Sequence, residues 1–406
     1  MPLSKINTAS IANNSIIAAD ILANTITGDK MTANSISSNN IVSVSGSAIT
    51  ANTVANSAFQ TGSVETYMRA NTLDFGMRNR IINGAMLINQ RGSSITSAGY
   101  TLDRWNLYVI NGSKLTAAQG SSSNPVGFPQ ALLITSTTAL SVGTNDYYYL
   151  GQYIEGFNTA DLAFGTANAK AVTLSFWVRS SLTGTFGGSI QNGAENRSYP
   201  FTYTIVAANT WEQKSVTIPG DTTGTWIGAT NGVGMRVGFG LAHGSDYQGT
   251  ANTWVGGYKF PTGAVNLLAT NGATFYLTGV QLEEGSQQTS FEYRMYGTEM
   301  ALCQRYYSEW PESSQMAGYT ASATEIVGTV SLPVRLRATP SVSSGGGSKY
   351  GWYDTNYNSS SSNTVSMGTS VISSIYPIVQ GGFGGLPDLR SRILQSDTAY
   401  KFSAEL

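Results

Sequence analysis

From Ile6 to Ile41 an apolar residue returns at every fifth position: Ile6, Ile11, Ile16, Ile21, Ile26, Met31, Ile36 and Ile41. On a helix, steps of five rotate by about 140° each, so no single stripe forms. On a plain strand, odd steps send successive apolar residues to opposite faces. The repeat therefore needs a turn or coil in every unit or two. Asn14, Asn24, Asp29, Asn34, Asn39 and Asn52 each stand two before an apolar position, and such residues form Asx-turns and tolerate left-handed backbone angles. A ten-residue beat is also present, in NSI, NTI and NSI ending at Ile16, Ile26 and Ile36. A unit of ten restores strand parity.

After Ile41 the beat slips by three and resumes at Val44, Ile49, Val54 and Phe59. One apolar side chain per five residues cannot hold a single chain together against its conformational entropy. A disordered Ser/Asn-rich arm is the simplest alternative, but a beat this strict implies packing that demands it. Two structured solutions remain: a solenoid of stacked coils, or several identical chains wound on a shared axis. A pentapeptide solenoid prefers a small residue two before its central apolar one. Asn in that place favours the multi-chain form. Residues 4–60 resemble the short Ile-and-Asn/Thr repeats of bacteriophage fibre and other virion proteins, which implies a homotrimer. The apolar positions are then the trimer-packing residues of a shaft spanning 1–64, and the slip at 41–44 predicts a kink or change of winding.

The rest of the chain reads differently. The segment ETYMRANTLDFGMRNR (65–80) brings charge back, and 65–78 is expected to be a junction. Charged residues are only 11% of the 406, against roughly 25% in ordinary domains. Ser, Thr, Asn and 45 Gly fill the gap, alongside 22 Tyr and 7 Trp, a composition suited to strands and turns. In VTLSFWVRS, Val172, Leu174, Phe176 and Val178 fall on one face, with Thr173, Ser175, Trp177 and Arg179 on the other. YPFTYTIVA, EQKSVTIPG, VGMRVGFGLA and ATFYLTGVQLEEG repeat the pattern. The expectation is a mostly β chain: a jelly-roll or β-sandwich over 79–296, then a smaller C-terminal β region over 311–406. GTEMALCQRYYSEW (297–310) is expected as a connecting helix, with Thr298 as cap and Met300, Cys303 and Tyr307 on one face.

Two stretches carry a further resemblance. NRIINGAMLINQRG with YTLDRWNL (79–107), and FYLTGVQLEEGSQQTSFEYRMYGTEMALCQRYYSEW (275–310), resemble the opening and closing of a β-sandwich domain of phage structural proteins, notably of marine and cyanobacterial phages. The terminal SAEL fits as well. The resemblance implies a virion fibre or appendage with a carbohydrate-binding-like jelly roll, and names no ligand. The repeat starts almost at Met1, so attachment to another virion protein is expected through the first residues or the shaft. That keeps a capsid (head) fibre in play beside a tail fibre.

Little in the sequence speaks for catalysis. One cysteine, Cys303, excludes an internal disulfide and a Cys-based zinc site. The lone His243 has Ser245 and Asp246 close in sequence, but triads assemble in space, and His243 reads as structural or solvent-exposed. No phosphate-binding loop is present, and no cofactor or metal is expected. Net charge is −1, so no basic field attracts nucleic acid. The longest apolar run, AVTLSFWV, is too short to span a membrane, and no signal-peptide shape opens the chain. Synthesis in a host cytoplasm and residence in the virion are expected.

A polysaccharide-cleaving tailspike is the enzymatic rival, since two carboxylates suffice for glycoside hydrolysis. Its candidates are Asp103, Asp246, Glu283, Glu284, Glu292 and Asp354. Asp103 beside Arg104 reads as an ion pair, and Glu283 and Glu284 as solvated at a turn. Binding is the better reading: sugar C–H faces stack on rings while polar side chains meet the hydroxyls. YGWYDTNYN offers Tyr350, Trp352, Tyr353, Asp354, Asn356 and Tyr357 in one expected flexible stretch. Tyr247 and Trp254, with Asp246, form a second patch. Host-surface polysaccharide is the expected partner, and packing of these rings against the protein itself is the competing reading.

Overall fold

The computed structural model describes residues 78–406, apart from 93, 122, 346, 354–355, 363, 368–374, 385 and 387–390, with backbone alone at 352–353, 356–357 and 376. The packing positions of the repeat, Ile6 to Phe59, and the slip at 41–44 lie outside the described residues.

Two antiparallel sheets form a jelly-roll sandwich. The first has five strands in the order β3 (Leu115–Gly120), β4 (Ala131–Ser136), β14 (Thr274–Glu284), β6 (Val172–Ser180) and β9 (Glu212–Ile218). The second has seven, in the order β1 (Gly99–Leu102), β2 (Trp105–Val109), β5 (Tyr147–Glu155), β10 (Val233–His243), β7 (Gly184–Asn192), β8 (Arg197–Ile205) and β12 (Val255–Gly256). The chain passes repeatedly from one sheet to the other, so each sheet's inner face is built from distant parts of the sequence.

Period-two patterning decides which side chains meet. Val172, Leu174, Phe176 and Val178 are all fully buried, as the alternation predicts, and Trp177 is half-buried. Phe176 meets Phe239 and Tyr203 of the opposite sheet edge to face, both at 4.9 Å between ring centroids. Such ring pairs add about 0.5–1.5 kcal/mol beyond the area they bury.

The connecting helix is shorter than expected. α1 spans Tyr296–Gln304 with Met295 at its N-cap, and Thr298 makes no cap. Glu299 holds the first turn instead, accepting from the Asn83 amide and from Arg294. The last expected helical residues form β15 (Tyr307–Trp310), because their backbone pairs with β24 (Tyr400–Ser403). β18 (Ser341–Ser344) flanks β24 on its other side.

The second C-terminal sheet has seven strands. Their order is β20 (Asn356–Ser360), β19 (Lys349–Tyr353), β23 (Ser391–Ser396), β16 (Gln315–Ser322), β17 (Glu325–Ser331), β22 (Ile375–Gln380) and β21 (Val365–Met367). Ile326, Val330, Ile378, Leu394 and Phe402 belong to its own core.

Arg104 ties this region to the sandwich. Arg104 and Asp103 do not pair. Left-handed backbone at Arg104 (φ 70°), in the turn between β1 and β2, sends the two side chains apart. Asp103 accepts from the Gln90 amide and side chain at 2.7 and 2.6 Å, while buried Arg104 reaches Glu405 and stacks 3.5 Å from the Tyr306 ring centroid. Arg91 also binds Glu405 at 2.6 Å, and Arg337 holds the Ala404 and Glu405 carbonyls at 2.8 and 2.9 Å. The SAEL residues are thus a clasp of three guanidiniums.

Candidate functional site

The outer face of the seven-stranded sandwich sheet is unlike an ordinary solvated face. Register places Tyr108 opposite Tyr149 and Asn106 opposite Gly151. Gly151 and Tyr153 stand opposite Gly238 and Arg236, which in turn face Ser189 and Gln191. A row of small residues (Gly151, Gly238, Ser189) therefore runs between tyrosines and longer polar side chains.

The rings of this face are mutually ordered. Tyr108 stacks on Tyr149 with centroids 4.4 Å apart and planes 6° apart, and on Tyr153 at 5.5 Å. The Arg236 guanidinium lies 4.3 Å from the Tyr153 centroid and is held by Glu195. Tyr147 meets Tyr247 edge to face at 5.3 Å, and Tyr247 meets Tyr258 at 5.7 Å. Burial, then neighbouring phenols, pushes the Tyr108 and Tyr149 hydroxyls well above the ordinary tyrosine value, and burial does the same at Tyr258. They stay protonated, able both to donate and to accept toward a neutral hydroxylated ligand.

Part of the face is roofed by residues 244–262. β13 (Phe260–Pro261) lies on bare glycines: a Cβ at Gly187 would stand 2.1 Å from Pro261 Cγ, and one at Gly238 would be 3.1 Å from Phe260 Cζ. His243 stacks on Phe260 with centroids 3.8 Å apart, and burial pushes its pKa down to about 3. Its Nε2 is buried without a hydrogen-bond partner, so that nitrogen engages neither Ser245 nor Asp246.

Further atoms on this face are buried and unmet, two of them along the row of small residues and its border. Ser189 Oγ and Gln191 Nε2 have no hydrogen-bond partner, in residues only 0% and 2% exposed. An unmet buried polar group costs about 1–3 kcal/mol. Burial at this depth closes both atoms to solvent in this structure.

The residues singled out in the sequence fall elsewhere or at the margin. Tyr247 joins the aromatic run, but Trp254 does not. Trp254 packs on Tyr199, Trp226 and Phe164 at 5.2–5.8 Å, and its indole N–H donates to the Pro219 carbonyl at 2.9 Å. Nearby, Phe164, Trp226, Ile227 and Met235 line a cavity of about 310 Å³.

The YGWYDTNYN stretch is a hairpin and not an open loop. β19 and β20 pair at one edge of the C-terminal sheet, with Trp352 opposite Tyr357 and Tyr353 opposite Asn356. Tyr350 donates to Asp397 at 3.3 Å. Asp354 lies outside the described residues.

Among the carboxylates, Glu283 is buried and accepts from the Thr289 amide and hydroxyl at 2.8 and 2.5 Å. It is not solvated, because the chain after β14 folds back over it. Glu284 is exposed and pairs with Lys170 at 3.0 Å, and Glu292 accepts from the Asn79 amide at 2.6 Å.

Sequence inspection missed the outer face because its members come from four strands. A signal was present in DYYYLGQYIEG (146–156). Tyr147, Tyr149 and Tyr153 share strand parity there, while buried Tyr148, Leu150 and Ile154 take the other.

No family model matches the chain, and no curated protein matches it. Solved structures with a similar arrangement over about half of the chain include the enzymatically active domain of tailspike protein 4 from bacteriophage CBA120. It is 12% identical with a TM-score of 0.30, over 51% of this chain and 21% of that one. A sugar-binding protein of Bacteroides thetaiotaomicron, so described provisionally, is 11% identical with a TM-score of 0.31, over 51% and 100%. TmCBM61, solved with β-1,4-galactotriose, is 11% identical with a TM-score of 0.27, over 51% and 99%.

Proposed function

We propose that this chain is a homotrimeric virion fibre, a phage tail fibre in the first instance, that adheres to host-surface polysaccharide without cleaving it. The observation that carries the binding reading is the outer sheet face, where an ordered run of tyrosines borders two buried polar atoms that lack partners. Rings suit sugar C–H faces, and neutral phenols and amides suit hydroxyls. The five-residue beat of Ile6 to Ile41 supports several copies on one axis. Three weak sites presented together gain strength by avidity.

The test is titration of the full chain with purified host-surface polysaccharide. Saturable binding that Tyr108→Ala weakens at least tenfold supports the reading. No binding by the wild type would sink it. Release of reducing ends during the same incubation would replace adhesion with depolymerisation, and immunogold labelling of virions distinguishes tail from head.

A further inference from the structure

We infer that the cavity at the start of β10 holds a single neutral sugar unit, as a second glycan site separate from the outer sheet face. The inference rests on the glycan-binding reading given above and adds a place and a ligand class to it. Thr159, Phe164, Trp226, Ile227, Gly234 and Met235 line the cavity, and none of them belongs to the aromatic run of the outer face.

The indole of Trp226 is fixed before any ligand arrives. It is half-buried and meets Phe164 at 4.8 Å and Trp254 at 5.7 Å between ring centroids, with planes 89° and 87° apart. Its N–H donates to Asp221 at 3.1 Å. Asp221, only 1% exposed, accepts in turn from two Arg197 nitrogens at 2.9 Å each. A ring held along one edge and against two neighbours presents the rest of its surface in one orientation, and little freedom remains to be lost on binding.

The cavity also carries an under-used hydroxyl. Thr159 is 6% exposed, and its Oγ reaches the Glu155 and Gly156 carbonyls only at 3.4 and 3.5 Å, beyond the roughly 2.5–3.0 Å of a well-made O–H···O bond. Gly234 makes room for it, since a Cβ there would stand 2.2 Å from Thr159 Oγ. Thr166, the other hydroxyl of the lining, is spent on its own loop. It donates to the Ala163 carbonyl at 2.7 Å and accepts from the Asn168 amide at 3.2 Å.

Chemistry and size select the ligand. None of the described residues lining the cavity is charged, so an ionised group would enter without a counter-charge. One preset indole, several hydrocarbon side chains and one weakly engaged hydroxyl suit a pyranose, whose C–H face covers the ring and whose hydroxyl meets Thr159. About 310 Å³ lies at the lower end of the roughly 300–1,000 Å³ of ligand pockets. That fits one sugar unit, at a chain end or on a side branch, and not a run of them.

The experiment titrates the full chain with D-glucose, D-galactose, D-mannose and L-rhamnose, read by saturation-transfer NMR of the sugar protons and by tryptophan fluorescence. At least one of these sugars is expected to saturate. Thr159→Val, which replaces the hydroxyl by a methyl of like shape, should weaken that binding about fivefold. Gly228→Leu is the second variant: Gly228 lines the cavity and a Cβ there meets nothing within 4 Å, so the chain can fold with the cavity blocked, and the binding should be lost. Saturable binding that survives both variants, or that Tyr108→Ala alone removes, overturns the cavity site and leaves the adhesion reading standing. Failure of all four sugars while the polysaccharide still binds does the same. Failure of the sugars and the polysaccharide together overturns both readings.

Discussion

The two faces of the seven-stranded sandwich sheet come from the same strands, yet they solve different problems. Inward, Leu107, Leu150, Ile154, Val237, Phe239 and Phe201 are buried against the five-stranded sheet. Outward, the alternate positions carry Tyr108, Tyr149, Gly151, Arg236, Gly238, Ser189 and Gln191. The inner face has no polar side chain to satisfy along these positions, so its energy comes from close packing. The outer face carries buried polar atoms without partners, Ser189 Oγ and Gln191 Nε2 among them, beside its ordered rings. The contrast is between positions that hold the sheets together and positions that present rings and polar groups outward.

The largest expected effect lies on the inner side. Phe176 touches rings from two strands of the opposite sheet, β10 and β8, so Phe176→Ala removes contacts and leaves a void. A loss of about 3–5 kcal/mol is expected, read from urea denaturation of the full chain. A loss under about 1 kcal/mol would show that the two sheets are not packed as described.

A second prediction concerns pH and the roofed part of the outer face. The folded His243 pKa lies near 3, below its ordinary 6.5. The unfolded chain therefore binds the proton more readily than the folded one, and stability falls as pH drops from about 6.5 toward 3. The urea midpoint should be flat from pH 8 to 7 and decline from 6.5 to 5, above the range in which carboxylates titrate. His243→Phe should remove that decline, because a phenyl ring keeps the stack on Phe260 and binds no proton. An unchanged slope would mean that His243 is open to water.

The third prediction sets the faces against each other directly. Tyr108→Ala removes a half-buried ring from the outer stack. It is expected to weaken polysaccharide binding at least tenfold, about 1.4 kcal/mol, with a smaller stability cost than Phe176→Ala. If stability falls as steeply as it does for Phe176→Ala while affinity holds, the tyrosines are core and not site.

How much of this was legible depended on whether the controlling information was local. Val172 to Val178 announced a buried face because strand parity is a property of consecutive residues. Asp103 and Arg104 were misread as a pair because the left-handed backbone at Arg104, which parts them, leaves no mark in the residue types. The end of α1 was misplaced because Tyr307–Trp310 become a strand only by pairing with Tyr400–Ser403, some ninety residues on. The outer face was invisible for the same reason: Tyr149, Gly238 and Ser189 are neighbours through register alone. Trp254 stood out as an aromatic in a polar stretch, yet its indole is engaged with Pro219, and only the fold reveals that.

The smallest expected effect is also the most discriminating. Ser189→Ala deletes a hydroxyl that is fully buried and bonded to nothing. Removing a partnered buried hydroxyl costs about 0.5–1.5 kcal/mol. Removing an unpartnered one should leave the ligand-free protein unchanged or slightly more stable, since an uncompensated desolvation cost disappears. In the presence of saturating polysaccharide the sign should reverse only if the ligand displaces the covering residues 260–261 and gives the wild-type hydroxyl a partner. The measurement is a pair of thermal melts for each protein, with and without ligand, compared by the ligand-induced shift. A smaller shift for Ser189→Ala places the bound sugar over the row of small residues between Gly151 and Ser189. Equal shifts would move the ligand off that row and toward the exposed edge of the stack at Tyr147 and Tyr247, even with the fold and the adhesive function intact.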